Sequence, residues 1–188
     1  MNNNLLHILN SVHPISEKLK LELNKKLHKK AVKKKEFILI EDEICKNIYF
    51  IQSGFFKAFH LQNGKEIVQW FMKENDFIIS VNSFYKQVPS YEFIQATENS
   101  IVHFISYNDL QALYKVFTEF NITGRILTEY YYALSEERLF SMRKQKAEDR
   151  YNFLLEVHPE IIQNANRTDI ASYLGISLET LSRMKRRK

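Results

Sequence analysis

The chain has 188 residues, enough for one sizeable core or two small ones. Its 45% hydrophobic and 26% charged content are those of a soluble globular protein, and no apolar run reaches the roughly 18–20 residues that span a bilayer, so no membrane partner is expected. The formal charge is +5, and the single cysteine, Cys45, excludes an internal disulfide and any cysteine-rich metal or iron–sulfur site.

In chain order, MNNNLLHILNSVHP has no basic segment followed by an apolar one, so no export signal is read and a cytoplasmic location is expected. Leu5, Leu6, Leu9 and Val12 form a short helical stripe. His13-Pro14 interrupts it, because the residue before proline avoids the helical region. Ser16 then caps a second helix, with Leu19, Leu23 and Leu27 four apart. Lys25, Lys26, Lys29, Lys30 and Lys33 to Lys35 make a cationic stretch, read as a solvated helix face and a strand edge.

From Phe37 the period changes from helix to strand. FILI, IYFI, FFKAFH, EIVQWF, DFIIS, YEFIQA and SIVHFI are short, rich in β-branched and aromatic residues, and separated by polar turns. Asn63-Gly64 predicts a type I′ hairpin turn, since both residues accept positive φ. Gly54 predicts a bend or bulge. Regular strands of this length imply a small antiparallel barrel or jelly roll.

Ser106 or Asn108 opens a short helix bearing Leu110, Leu113 and Tyr114. After Phe117 comes a longer helix. Phe120, Leu127, Tyr131 and Leu134 line one side, and Ile122, Ile126, Tyr130 and Ala133 lie beside them. One barrel does not easily cover so wide an apolar arc, so burial against a second copy is expected. The charged stretch Arg138 to Arg150 is read as a hinge. Tyr151, Phe153, Leu154, Leu155 and Val157 form a helix that ends at His158-Pro159.

The last segment is RTDIASYLGISLETLSRMKRRK. Thr168 is read as the N-cap of a helix whose inner face holds Ile170, Ala171 and Leu174. Gly175 follows, where a sharp turn needs positive φ. Ser177 caps a second helix with Leu181 and Met184 facing inward. Glu179, Thr180, Ser182 and Arg183 face outward, followed by Lys185, Arg186, Arg187 and Lys188. Residues 167–188 hold six Lys/Arg against two Asp/Glu, so +4 of the total +5 lies here. Polar side chains early on a helix and cations late suit base edges and phosphates respectively.

Helices, barrel, long helix and C-terminal helix-turn-helix in this order resemble the Crp/Fnr family of bacterial transcription regulators. IYFIQSGFFKAFH…NGKEIVQWF looks like that family's barrel hairpin, and ISYNDLQALY like the start of its helical hinge. Glu179-Thr180-Leu181-Ser182-Arg183 matches its Glu-x-x-Ser-Arg recognition pattern. The resemblance implies that Glu179 accepts from a cytosine amino group, and that Arg183 donates to a guanine edge or bridges to phosphate. Thr168, Ser177, Thr180, Ser182, Lys185, Arg186 and Arg187 complete the expected DNA contacts. Relatives usually continue into a β-hairpin wing, and the expected unit here is a helix-turn-helix lacking most of that wing.

The departures concern the sensor. Family members that bind cyclic AMP hold its phosphate with a Gly-Glu-Leu segment and an Arg-Ser/Thr-Ala segment. Ile79, Ser80 and Val81 stand at the first; Ser90, Tyr91 and Glu92 stand at the second. Serine hydroxyls do not replace a charge-assisted, bidentate arginine, so a degenerate cassette at Ile79, Ser80, Ser90 and Tyr91 and no cyclic AMP binding are expected. Asp42 and Asn75 stand where the family has glycines, and are the non-glycine types that best tolerate positive φ. Cys45 alone cannot hold an iron–sulfur cluster. His60 and His103 sit on strands and give no haem signal, and the six histidines lack metal-ligand spacing.

The expected fold is therefore α+β. Residues 1–118 form a sensor barrel like a cyclic nucleotide-binding domain, with flanking helices. Residues 119–140 form the dimerisation helix, and 141–188 the helix-turn-helix unit. The expected function is a homodimeric regulator reading an inverted repeat in double-stranded DNA, with no catalytic residue, cofactor or metal. RNA polymerase and an unidentified small effector are the other candidate partners. The alternative is an interaction or scaffolding dimer that no longer reads DNA.

Overall fold

The computed structural model describes residues 3–143 and 146–186, with the side chains of Asn3, Lys185 and Arg186 left aside. Helices α1 (Asn3–Val12) and α2 (Glu17–Lys26) open the chain. The Ser16 side chain accepts from the Leu19 amide and fixes the start of α2. Leu5, Leu9, Leu19 and Leu23 are buried in the main core, as their spacing requires.

Eight strands follow: β1 (His28–Val32), β2 (Phe37–Leu39), β3 (Asn47–Ser53), β4 (Phe56–Gln62), β5 (Lys65–Met72), β6 (Phe77–Ile78), β7 (Phe93–Ala96) and β8 (Ser100–Ser106). They form two four-stranded sheets, ordered β1-β8-β3-β6 and β2-β7-β4-β5, with every pairing antiparallel. Strand structure thus begins earlier than the apolar period, at His28. β1 is an edge strand of sequence HKKAV, and its lysines hide the alternation while guarding the open edge.

The turns obey local chemistry. Asn63 and Gly64 have φ of 52° and 73° between β4 and β5, and Asp42 and Asn75 adopt 67° and 72°. Lys35 and Gln87 are also at positive φ, 71° and 51°. The Gln87 amide offsets part of the strain by donating to the carbonyls of Phe84 and Cys45. Gly54 sits at φ 114°, and a Cβ there would lie 2.0 Å from the Ser100 hydroxyl and 2.9 Å from the Ser100 Cα. Gly54→Ala is expected to cost about 2–5 kcal/mol, as strain and overpacking add. A urea unfolding midpoint unchanged from the parent would contradict this.

The short helix α3 (Val81–Lys86) interrupts the strands. After β8, Ser106 caps α4 (Tyr107–Val116) by accepting from the Asp109 amide. α5 (Thr118–Met142) then runs 25 residues, about 37 Å at 1.5 Å per residue. Phe120 on α5 is buried in the barrel core, with Leu127 packed against it.

The C-terminal helical unit comprises α6 (Ala147–Val157), α7 (Pro159–Asn164), α8 (Arg167–Leu174) and α9 (Leu178–Arg186). α7 is an addition to the sequence reading. Pro159 ends α6 as expected, but it also occupies the first turn of a new helix, where its missing N–H costs nothing. The start of α8 is a correction. Its N-cap is Asn166, whose side chain accepts from the Asp169 amide, and Thr168 lies inside the helix. An Asn at that position offers the same acceptor two residues earlier.

A second core joins this unit to the barrel. Tyr151, Leu154, Ile161, Ile170, Leu174 and Leu181 pack together with Phe55, Phe59, Val68 and Phe71 of the β4–β5 region. A register shift makes this possible. Ala58 pairs with Trp70 and Phe59 with Val68, so Gln69 is extra on β5. The bulge lets Val68 and Phe71, three apart, share the outer face, while Trp70 and Met72 turn toward the barrel core.

Candidate nucleic-acid interface and its seat on the barrel

The two last helices are locked together from inside. Gly175 turns left-handed at φ 62°, its amide donates to Ser172 O, and the Ile176 amide donates to Ala171 O. This doubly bonded stop satisfies the last carbonyls of α8. Ser177 Oγ accepts from the Thr180 amide at 3.1 Å and starts α9. Leu181 is fully buried, and Met184 is half-buried against the same core.

The opposite side faces solvent. Thr168, Ser177, Glu179 and Arg183 are exposed, and Thr180 and Ser182 are half-exposed. Thr180 has a local task as well: its hydroxyl lies 3.0 Å from that of Ser177. Lys185 and Arg186 extend α9, whereas Arg187 lies outside the described residues. The expected contact residues from Ser177 to Arg183 are therefore brought onto one helix, and Thr168 lies on the preceding one.

What holds α8 in place was not legible as function in the sequence. Lys57 on β4 and Asp169 on α8 are ion-paired at 3.1 Å, with side chains only 8% and 7% exposed. Lys57 also reaches Glu66 at 2.5 Å and lies 4.9 Å from the Phe59 ring centre. Asp169 sits in the first turn of α8, where the helix dipole favours an anion. The Asn166 amide donates to its second oxygen at 2.7 Å. One hint was available: a lysine in the middle of the apolar strand FFKAFH needs a buried partner.

Ser172 does a second job. β5 ends its sheet and so presents unpaired backbone groups. The Ser172 hydroxyl accepts from Val68 N at 2.9 Å and donates to Glu66 O at 2.8 Å. One side chain of α8 thus stands in for a neighbouring strand. Tyr173 packs on Phe71, with ring centres 5.3 Å apart. On its other side Arg138 of α5 stacks at 3.5 Å and donates to the Tyr173 carbonyl. Arg150 Nε donates to Leu174 O at 2.9 Å. Two guanidinium groups therefore meet the negative end of α8. Burial pushes the Tyr173 hydroxyl pKa up and the Arg138 pKa down. Arg138, read from sequence as part of a charged hinge, is a packed residue.

The barrel contains a cavity of about 560 Å³ between the strands and α5. Trp70, Phe77, Ile79, Phe84, Tyr114 and Tyr131 supply much of its wall. Burial pushes the Tyr114 hydroxyl up to about 12. Beside it lies the segment expected to be a degenerate cassette. Ser80 and Ser90 are buried, and Tyr91 is exposed. The Glu92 amide donates to Ser90 Oγ at 2.9 Å, Ser90 Oγ reaches Ser80 Oγ at 3.1 Å, and Ser80 Oγ donates to the Glu92 carboxylate at 2.5 Å. Burial raises the Glu92 pKa; the Ser80 bond and the nearby His60 partly oppose that rise.

The other candidate ligands have structural partners. His60 Nδ1 lies 3.0 Å from Gln69, and His103 Nε2 lies 2.7 Å from Gln52. Cys45 is buried, which raises its thiol pKa. Among the described residues no group of three or more His, Cys, Asp or Glu is placed to hold a metal ion.

Residues 29–116 match the family model of the cyclic nucleotide-binding domain. No curated protein matches the chain. Solved structures match over nearly its full length. FixK2 from Bradyrhizobium japonicum is 20% identical, covers 86% of this chain and 83% of its own, and superposes with a TM-score of 0.72. A protein from Eubacterium rectale assigned to the Crp/Fnr family of transcriptional regulators is 18% identical, covers 98% and 87%, and gives 0.75. This chain has the Crp/Fnr fold. CLP of Xanthomonas campestris, described as a c-di-GMP-responsive global regulator, shares it at 15% identity, 92% and 91% coverage and a TM-score of 0.67. Among the described residues no helix is long and apolar enough to cross a membrane.

Proposed function

We propose that the protein is a homodimeric, sequence-specific DNA-binding transcription regulator and not an enzyme. The observation that carries this reading is the two-sided character of α9. Leu181 seals it to α8, while Glu179 and Arg183, with Ser177 at its cap, are exposed on the other side. Polar groups fixed on a rigid helix are what base-edge readout needs. The units are residues 1–118 as sensor, 119–140 as dimerisation helix and 141–188 as reader. The protein acts in the cytoplasm, and RNA polymerase is its candidate protein partner.

Dimerisation is supported by α5. Tyr130, Tyr132 and Phe140 are 54%, 67% and 65% exposed, a large apolar surface for an unpartnered helix. A two-fold dimer requires an inverted-repeat site with half-sites roughly 34 Å apart. The barrel does not take cyclic AMP, because the Ser80–Ser90–Glu92 cluster offers the phosphate a carboxylate and no arginine. CLP, which has this fold, is a regulator responsive to c-di-GMP.

Footprinting with purified protein on genomic fragments tests the reading. Arg183→Ala should cost about 1–3 kcal/mol on the specific site and relax selectivity there. A dimer that protects no sequence would support the scaffolding alternative instead.

A further inference from the structure

The barrel cavity is large, apolar and asymmetric in charge. Its volume of about 560 Å³ lies in the range of small-molecule sites. Two charged residues line it, Glu92 and Arg125. Arg125 is already paired with Glu129 at 2.6 Å, on an exposed part of α5. Glu92 has no ion-pair partner among the described residues; its nearest charge influence is His60.

The carboxylate is held in a set orientation. Ser80 Oγ donates to Glu92 Oε2 at 2.5 Å, and Ser90 Oγ accepts from the Glu92 amide at 2.9 Å and sits within donating distance of both the Glu92 carbonyl, 3.0 Å, and Ser80 Oγ, 3.1 Å. The Ser80 hydrogen bond favours the ionised carboxylate against the larger opposing effect of burial, and Oε1 has no donor among the described residues, so a bound cation supplies what the site lacks. A half-desolvated carboxylate at the wall of an apolar chamber gains most from a cation or a strong N–H donor. A phosphate or carboxylate ligand meets repulsion there instead.

We propose that this cavity binds an apolar, partly aromatic amine, with the Glu92 carboxylate as counter-ion to the ammonium group and Trp70, Phe77 and Phe84 packed around its body. The site is thereby opposite in charge preference to a cyclic-phosphate pocket. The proposal rests on reading the barrel as an effector site.

The chain supplies its own reporter, because Trp70 is the single tryptophan and lines the cavity. Full-length protein is titrated with 4-phenylbutylamine, 4-phenylbutanol, 4-phenylbutyrate and cyclic AMP while Trp70 fluorescence is followed. The amine should bind roughly tenfold or more tightly than the acid, with the alcohol between them. Glu92→Gln should erase the amine's advantage while leaving the alcohol unchanged, and Ser80→Ala should reduce it. An acid or cyclic AMP binding as tightly as the amine, an amine preference that survives Glu92→Gln, or no response to any probe would each overturn the assignment. DNA footprinting on the same preparation separates the two levels. Protected sites without probe binding remove the ligand and leave the regulator; probe binding without protected sites does the reverse.

Discussion

Lys57→Ala is expected to loosen the C-terminal unit from the barrel, at a cost of about 3–5 kcal/mol. Lys57 and Asp169 are both almost completely buried, so removing the ammonium strands a carboxylate in an apolar seam. Asn166 still donates to Asp169, but an amide does not neutralise a charge. The Glu66 arm contributes little, because that carboxylate is 43% exposed. In a chain of this size the loss corresponds to a fall of roughly 10 °C in the melting temperature. The companion Lys57→Met/Asp169→Leu protein, which removes both charges and keeps volume, should recover much of the stability. A Lys57→Ala protein that melts like the parent would show that the pair does not hold the seat.

Salt carries the second large effect. On the proposed reading each copy would offer Arg183, Lys185, Arg186 and Arg187 to phosphates, so the dimer would bring eight cations to its site. If all are engaged, the slope of log affinity against log salt is about −7, and affinity falls about ten-thousand-fold between 50 and 200 mM. Electrophoretic mobility shifts across that range measure it directly. A flat response would rule out a phosphate-dominated interface. Lys185→Ala should lower the slope by about one unit and weaken all sequences alike; a loss confined to the specific site would contradict its assignment to the backbone.

Features set by a residue's own φ preference were legible. Asn63-Gly64, Asp42, Asn75 and Gly175 all sit at positive φ, because that preference needs no knowledge of distant chain. The cap at Ser16 was equally plain, and of the two candidates Ser106 and Asn108 it is Ser106 that caps α4. The cap of α8 was misplaced because Asn166 and Thr168 are both good caps, and the choice depends on where α7 stops. β1 was obscured because lysines on a solvent edge erase the alternation that marks a strand. α7 hid behind Pro159, which reads as an end and is also a beginning. The Lys57–Asp169 pair spans 112 positions, and no local pattern encodes a partner at that distance. Of the site, the order and facing of α9 were legible from spacing alone, whereas the mounting of α8 on β5 was not.

The β4–β5 hairpin is a wall with two tenants. Its inner side lines the cavity with Ala58, Trp70 and Met72, and its outer side carries the C-terminal unit on Lys57, Val68 and Phe71. Strand side chains alternate, so adding one residue within β4 would exchange the two sides beyond the insertion. Lys57 or Phe59 would swing inward, and apolar residues made for the cavity would face α8. Substitutions on either side can therefore accumulate independently, while the number of residues stays constrained. Over generations, length variation in this segment should be found at the Asn63-Gly64 turn or at the Gln69 bulge, where an extra residue leaves both sides in phase.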